Sequence, residues 1–174
     1  MKLQMPARPY DVRQVANYLL DLGDSEGFPL TQVSLYKIIY FCYGWYLITT
    51  GTRLFKNSFE AWEYGPVVRV LRDEFKSFGR NNITGRATKL DLASGERDFA
   101  DPSLDEYDKK FVSQIFTTYR VYDAWELSDM THEPGSPWDK LWNARGSVAR
   151  LGLRIYDEEI KNHFTMIASR NRVS

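Results

Sequence analysis

The chain has 174 residues, which is the usual size of one domain and is long enough to bury a substantial core. Hydrophobic residues make up 43% of it and aromatic residues 15%. This composition excludes disorder over most of the chain and predicts a single domain over residues 1–174, with a core from about 11 to 168. Lysine and arginine together number 23, as do aspartate and glutamate, so we expect no nucleic-acid partner.

The first predicted helix begins after Asp11. Asp11 and Gln14 have the spacing of a capping box, in which two side chains satisfy backbone N–H groups at the start of a helix. Apolar residues then recur at helical spacing. Gly23 is typical of a helix end, because glycine readily adopts the left-handed conformation found there, and we expect this helix to stop at that residue.

The second predicted helix runs from Thr31 as N-cap to Gly51 and is apolar on nearly all sides. A surface helix has one apolar stripe, whereas a helix that is apolar all round has to be surrounded by protein. This helix is therefore the predicted centre of the fold. Lys37 is the exception, because a lysine there has to reach water or find a carboxylate or carbonyl partner. The predicted core residues of this helix are Leu35, Ile38, Ile39, Cys42 and Trp45.

The pattern changes after the second helix. Residues 53–64 are aromatic and β-leaning, which favours a loop with one short strand. Gly65 and Pro66 indicate the start of a third helix, since proline suits the first helical position, and Gly79 marks its end. The polar residues 80–102 have no helical period and predict a loop or a small hairpin.

Four further helices are predicted in the C-terminal half. Ser103 with Glu106 forms another capping-box pair, and Tyr107, Phe111 and Ile115 are expected on the inward face of the helix that follows. The other three helices are expected to begin at Asp123, at Ser136 with Pro137, and at Asp157, after an extended stretch from Leu151 to Ile155. The predicted fold class is mainly α: a compact single-domain helical bundle around a buried central helix, with at most a few short strands.

The sequence also favours a location in the cytoplasm. Residues 1–10 contain no apolar run of the signal-peptide type, and no stretch of about 18 apolar residues is present for a membrane span. Cys42 is the single cysteine and cannot form an internal disulfide, which is typical of a reducing compartment. We expect a cytoplasmic protein with no membrane partner. The oligomeric state is left open.

Residues that could carry catalysis are sparse. Neither His132 nor His163 has the spacing of a metal ligand, and Cys42 has aromatic neighbours instead of an activating base. We therefore predict no enzymatic activity, no cofactor and no metal site. His132 lies at the end of a short helix, where the helix dipole favours a protonated imidazole. A hydrolase or nuclease built around His132, Glu133 and Asp129 stays open as an alternative.

Three aromatic residues have a second interpretation besides the core. Trp62, Tyr64 and Trp138 are predicted in loops or at a helix start. Exposed tryptophan and tyrosine side chains are often the anchors of protein interfaces. The same side chains could instead fill the domain's own core, and the sequence leaves both interpretations open.

Four segments resemble motifs of the Panacea (SocA-like) antitoxin domain, and they occur in the order of that family. Residues 30–47 read LTQVSLYKIIYFCYGWYL and are similar to the family pattern L-T-x-x-K-L-x-K-L-L-Y-F-A-x-G-W. Residues 61–67 read AWEYGPV and resemble A-W-x-Y-G-P-V. Residues 127–138 are similar to L-S-x-L-T-H-x-x-x-P-W, and residues 159–164 resemble E-I-K-x-Y-F. Residues 85–102 have no counterpart in these motifs.

The resemblance implies an α-helical antitoxin, encoded beside a small toxin in bacteria and in their phages or prophages. It implies neutralisation of a cognate protein toxin by direct binding, without catalysis. One branch of the family acts as an adaptor that delivers its toxin to an ATP-dependent protease, and this is the alternative function. From motif position and residue type, the residues expected to contact the partner are Lys37, Trp62, Tyr64, Pro66, His132 and Trp138.

Overall fold

The computed structural model describes residues 8–143 and 152–172. The helices in these ranges are α1 (Val12–Glu26), α2 (Gln32–Thr50), α3 (Arg69–Phe75), α4 (Glu106–Tyr119), α5 (Ala124–Thr131), α6 (Pro137–Trp142) and α7 (Asp157–Asn171). The strands are β1 (Phe59–Trp62), β2 (Gly65–Val67), β3 (Thr88–Leu90), β4 (Arg97–Phe99) and β5 (Leu153–Ile155). The prediction of a mainly α fold with a few short strands is confirmed.

Helix α2 lies at the centre of the fold, as predicted. It begins at the Thr31 cap, ends at Gly51, and contacts α1, α3, α4, α5 and α7. The predicted core residues Leu35, Ile38, Ile39 and Cys42 are fully buried. Burial raises the pKa of the Cys42 thiol, which keeps that group protonated.

Trp45 lies at the margin of this core. It is partly buried, and its indole N–H donates a hydrogen bond to the Tyr119 hydroxyl of α4 at 2.8 Å. On the same helix, Gly44 lies so close to α7 that a Cβ at this position would overlap the Phe164 ring. The absence of a side chain at Gly44 therefore lets α2 and α7 approach each other.

A small antiparallel sheet covers one end of α2. Strand β1 is its middle strand, with β2 on one side and β5 on the other. Ala61 pairs with Pro66 and Trp62 with Gly65, so the chain reverses tightly at residues 63–64. The third helix, predicted to start at Gly65 and Pro66, begins instead at Arg69. Proline is tolerated in an edge strand such as β2, which explains why its helix-start signal was misleading here.

The prediction of a small hairpin within residues 80–102 is confirmed. Strands β3 and β4 pair antiparallel, and Ile83 N–H donates to the Leu30 carbonyl at the entrance to α2. The buried amide of Asn17 in α1 holds the base of this hairpin. It accepts from Ala87 N–H at 2.8 Å and donates to the Ala87 and Ala100 carbonyls at 3.0 and 2.8 Å.

Besides the start of α3, three predicted helix boundaries were wrong. The Asp11–Gln14 capping box is present, but α1 continues through Gly23 and ends at Gly27. The cap of α4 is Asp105 instead of Ser103, whose N–H bonds the Asp101 carboxylate. The cap of α7 is Tyr156, one residue before the predicted Asp157. The starts of α5 after Asp123 and of α6 after Ser136 are confirmed, and Leu151 lies outside the described residues.

The inward face of α4 was predicted in part, since Phe111 and Ile115 are partly buried against the core. Asp108, Val112 and Phe116 are buried, whereas Tyr107 is exposed. The Asp108 carboxylate accepts hydrogen bonds from the hydroxyls of Tyr10 at 2.6 Å and Tyr46 at 2.9 Å. A buried carboxylate with two hydroxyl donors belongs to the core, but its polarity hides this face from a search for apolar periodicity.

Candidate functional site

A groove of about 680 Å³ opens beside the N-terminal half of α2. Its walls are the first turns of α2, the β1–β2 turn, α3 with the turn that follows it, and the first turn of α5. Segments that are far apart in the sequence therefore meet at one concave surface. None of the helices within residues 8–143 and 152–172 has the length and hydropathy of a membrane span.

Lys37 is buried at this groove, with 1% of its surface exposed. Its ammonium donates a hydrogen bond to the Pro66 carbonyl of β2 at 3.0 Å, so the predicted carbonyl partner is confirmed. An ammonium has three N–H donors, and the Pro66 oxygen is its one hydrogen-bond acceptor among the described residues. Burial lowers the pKa of the Lys37 amine to about 7, because the charged form is poorly solvated there.

Gly65 makes room for this lysine. Its φ of +111° is a backbone conformation that favours glycine. A Cβ at Gly65 would lie 2.5 Å from the Thr131 hydroxyl and 2.8 Å from Lys37 Nζ. Pro66, a predicted partner contact, is itself buried in β2, so its side chain serves the fold. Its carbonyl contributes to the site by holding Lys37.

Two exposed aromatic side chains stand at the mouth of the groove. Tyr64 is 47% exposed and Trp125 is 62% exposed, and their rings meet edge to face with centroids 5.7 Å apart. The Ser128 hydroxyl donates to the Tyr64 carbonyl at 2.7 Å and fixes the β1–β2 turn to α5. Trp62 is partly buried beside them, and the Arg72 guanidinium covers its ring at 4.4 Å.

Trp125 was not among the predicted contact residues. A local signal was present, because the Asp123–Glu126 capping box places Trp125 in the first turn of α5. The buried residues of this helix are Leu127, Ser128 and Thr131. Trp125 therefore lies away from the buried face, a position that helical spacing could have indicated.

His132 and Trp138 lie behind the groove and brace it. Their rings stack with centroids 3.7 Å apart and an interplanar angle of 13°. Trp138 is only 5% exposed, and its indole N–H donates to the Trp62 carbonyl at 2.6 Å. Of the two interpretations of Trp138, the structure supports the one in which it fills the domain's own core.

The protonated imidazole expected at His132 is not favoured. Burial lowers the pKa of His132, and the nearby positive charge of Lys37 lowers it further. These two effects on the pKa outweigh the attraction of Asp129 and the hydrogen bond to the Tyr64 backbone, which both raise it. Nε2 of His132 is buried and has no hydrogen-bond partner among the described residues.

The geometry gives no support to a hydrolase or nuclease centred on His132. Glu133 pairs with Arg170 and lies 3.5 Å from Nε2 of His163, so it is committed to α7. Within the ranges that the structure describes, no three His, Cys, Asp or Glu side chains are grouped so that they could hold a metal ion. The predicted absence of a metal and of a cofactor stays a prediction.

Comparison with known proteins identifies the class to which this helical domain belongs. The family model for the SocA-like antitoxin, Panacea domain, matches residues 35–139. This is more than half of the chain, and it includes all six predicted contact residues. The chain belongs to the SocA-like Panacea antitoxin family.

A curated relative agrees with this assignment. The chain is 36% identical over 154 residues to the antitoxin SocA of Caulobacter vibrioides (strain NA1000 / CB15N). The alignment covers 88% of this chain and 82% of that protein. No solved structure matches. Family membership is thereby confirmed, and it supports an antitoxin role with a cognate toxin as partner.

Proposed function

We propose that this protein neutralises a cognate protein toxin by binding it directly, with the groove beside α2 as the docking surface. The observation that carries the proposal is the exposed Tyr64–Trp125 pair at the mouth of a preformed groove. Membership of an antitoxin family supplies the kind of partner. On this proposal the protein acts by binding and not by catalysis.

The structure of the groove suits tight binding. Tryptophan and tyrosine bury a large area with few rotatable bonds, which is why they are often the residues that dominate an interface. The turn that carries Tyr64 is held by Ser128, and the helix that carries Trp125 is capped by Asp123. Little conformational entropy is therefore lost when a partner binds, and more of the contact energy appears as affinity.

The first prediction concerns these two side chains. Trp125→Ala and Tyr64→Ala are each expected to weaken toxin binding by about tenfold or more, because each removes an aromatic anchor. Co-expression with the product of the neighbouring gene, together with affinity measurement on the purified pair, tests this. Tyr107→Ala is the matched control, since Tyr107 is 52% exposed on α4, outside the groove.

Two results would count against the proposal. If the wild-type chain leaves the toxin fully active and the two proteins do not co-purify, direct neutralisation is wrong. If only Tyr107→Ala weakens binding, the docking surface lies elsewhere. The adaptor alternative stays a prediction, and the half-life of the toxin distinguishes it, because an adaptor for an ATP-dependent protease shortens that half-life whereas an inhibitor does not.

A further inference from the structure

The groove has a local excess of positive charge in a chain whose net charge is zero. The residues that line it include one carboxylate, Glu63, three cationic side chains, Arg72, Lys76 and Arg80, and the buried amine of Lys37. Asp73 offsets part of this excess from outside the groove, 3.8 Å from both Arg72 and Lys76. These two ion pairs share one exposed carboxylate, so a net positive potential remains at the groove.

Lys37 lines the groove and is its most deeply buried basic side chain. A buried ammonium is stable only if its hydrogen-bonding capacity is met, and the Pro66 carbonyl meets one of three donors. Tyr36 and Val67, which also line the groove, are buried as well. A carboxylate that enters the groove would accept the remaining N–H groups and balance the buried charge.

We propose that the groove recognises an acidic segment of the partner protein, with one carboxylate placed at Lys37 and an adjacent apolar side chain packed on Tyr64 and Trp125. This inference rests on the proposed function, which supplies the partner. It adds the chemistry of the partner's contact: negative charge next to an aliphatic or aromatic residue. Charge complementarity selects this occupant, since a basic or purely apolar segment would offer the Lys37 amine no acceptor besides the Pro66 carbonyl.

The test uses the full-length protein and short overlapping peptides that cover the product of the neighbouring gene. Binding is measured by calorimetry at low and at high salt, for each acidic peptide and for a matched peptide in which Asp and Glu are replaced by Asn and Gln. We expect an acidic peptide to bind and its amide counterpart to bind with an affinity at least about tenfold lower. High salt should weaken the binding of the acidic peptide and not that of the amide peptide.

A charge-reversal variant provides a second test of the same inference. The double variant Lys76→Glu with Arg80→Glu reverses two exposed charges at the rim and is not expected to disturb folding. It should bind the acidic peptide about tenfold more weakly, and a peptide with Lys in place of Asp and Glu should recover affinity for this variant alone. Lys110→Glu, on the exposed side of α4, is the matched control.

The outcomes separate the two proposals. If wild-type protein neutralises the toxin but the charge-reversed variant binds toxin and acidic peptide as the wild type does, the acidic-segment inference is overturned and direct neutralisation stands. The acidic-segment inference is also overturned if acidic and amide peptides bind equally well. It is overturned again if duplex DNA that carries the same negative charge displaces the acidic peptide. If the wild type does not neutralise the toxin at all, the proposed function itself fails.

Discussion

Replacement of Lys37 by methionine is expected to stabilise the fold and to weaken partner binding. Methionine matches the length of the lysine stem without the amine. The shift of the Lys37 pKa from 10.5 to about 7 corresponds to a penalty of roughly 4 kcal/mol at neutral pH. Methionine removes this penalty but also loses the hydrogen bond to the Pro66 carbonyl, which offsets about 1–3 kcal/mol of the stabilisation. The free energy of unfolding should therefore rise by roughly 2 kcal/mol at neutral pH.

The stabilisation by Lys37→Met should decrease as the pH rises above neutral. Between pH 7 and 10.5 the unfolded chain keeps the Lys37 proton and the folded chain releases it. In this window the group makes wild-type stability rise with pH, and below about pH 7 the full penalty applies. The advantage of Lys37→Met should therefore shrink by roughly 2 kcal/mol as the pH rises from neutral to about 9.

Urea unfolding of the wild type and of Lys37→Met across this pH range measures the free energy of unfolding. The toxin affinity of the same two proteins shows whether the substitution also affects binding. Lys110→Met is the control, because Lys110 is exposed and its replacement should change neither quantity much. A methionine variant that is more stable yet binds about tenfold more weakly would mark Lys37 as a residue kept for binding. Equal stability at every pH, or unchanged affinity, would contradict this account.

The second large effect is expected at Gly44. Alanine usually stabilises a helix relative to glycine by about 1 kcal/mol. Here we expect the opposite: Gly44→Ala should lower the free energy of unfolding by about 2–3 kcal/mol, because the added Cβ would overlap the Phe164 ring and push α7 away from α2. Thermal or denaturant unfolding of the variant measures this loss.

A double variant tests the cause. Phe164→Leu leaves room beside Gly44 by removing the aromatic ring, so Gly44→Ala combined with Phe164→Leu should be less destabilised than the sum of the two single changes, by about 1 kcal/mol or more. Strictly additive effects would mean that the overlap with Phe164 is not what makes glycine necessary.

The centre of the fold could be predicted because its signal is local. An apolar helix without a polar face needs no long-range information to be placed inside, and α2 is buried as predicted. The helix starts after Asp11, Asp123 and Ser136 were equally local, since a cap and its target lie within three residues. Family membership followed from motifs in these same segments.

The features that were missed depend on contacts between distant residues. The buried face of α4 includes Asp108, which is acceptable because Tyr10 and Tyr46 supply hydrogen-bond donors and Arg8 an opposite charge from far along the chain. Pro66 joins a strand because β1 offers it a partner at Ala61. No local pattern contains this information.

The groove itself was predicted in part. Lys37, Trp62 and Tyr64 all line it, although their role in binding stays a prediction. Trp138, for which core and interface were both open, and His132, a predicted partner contact, form the stack that supports it. Trp125 was missed because it lies between two of the motifs that guided the choice, and the third motif begins only at Leu127.

The way in which the groove is assembled sets a limit on when the protein can act during its synthesis. The surface draws on residues from Thr31 to Trp125 of a chain of 174. A ribosome must therefore translate most of the message, and α5 must leave the exit tunnel, before the docking surface exists. On the proposed function, a chain that ends before α5 would lack Trp125 and would not neutralise the toxin.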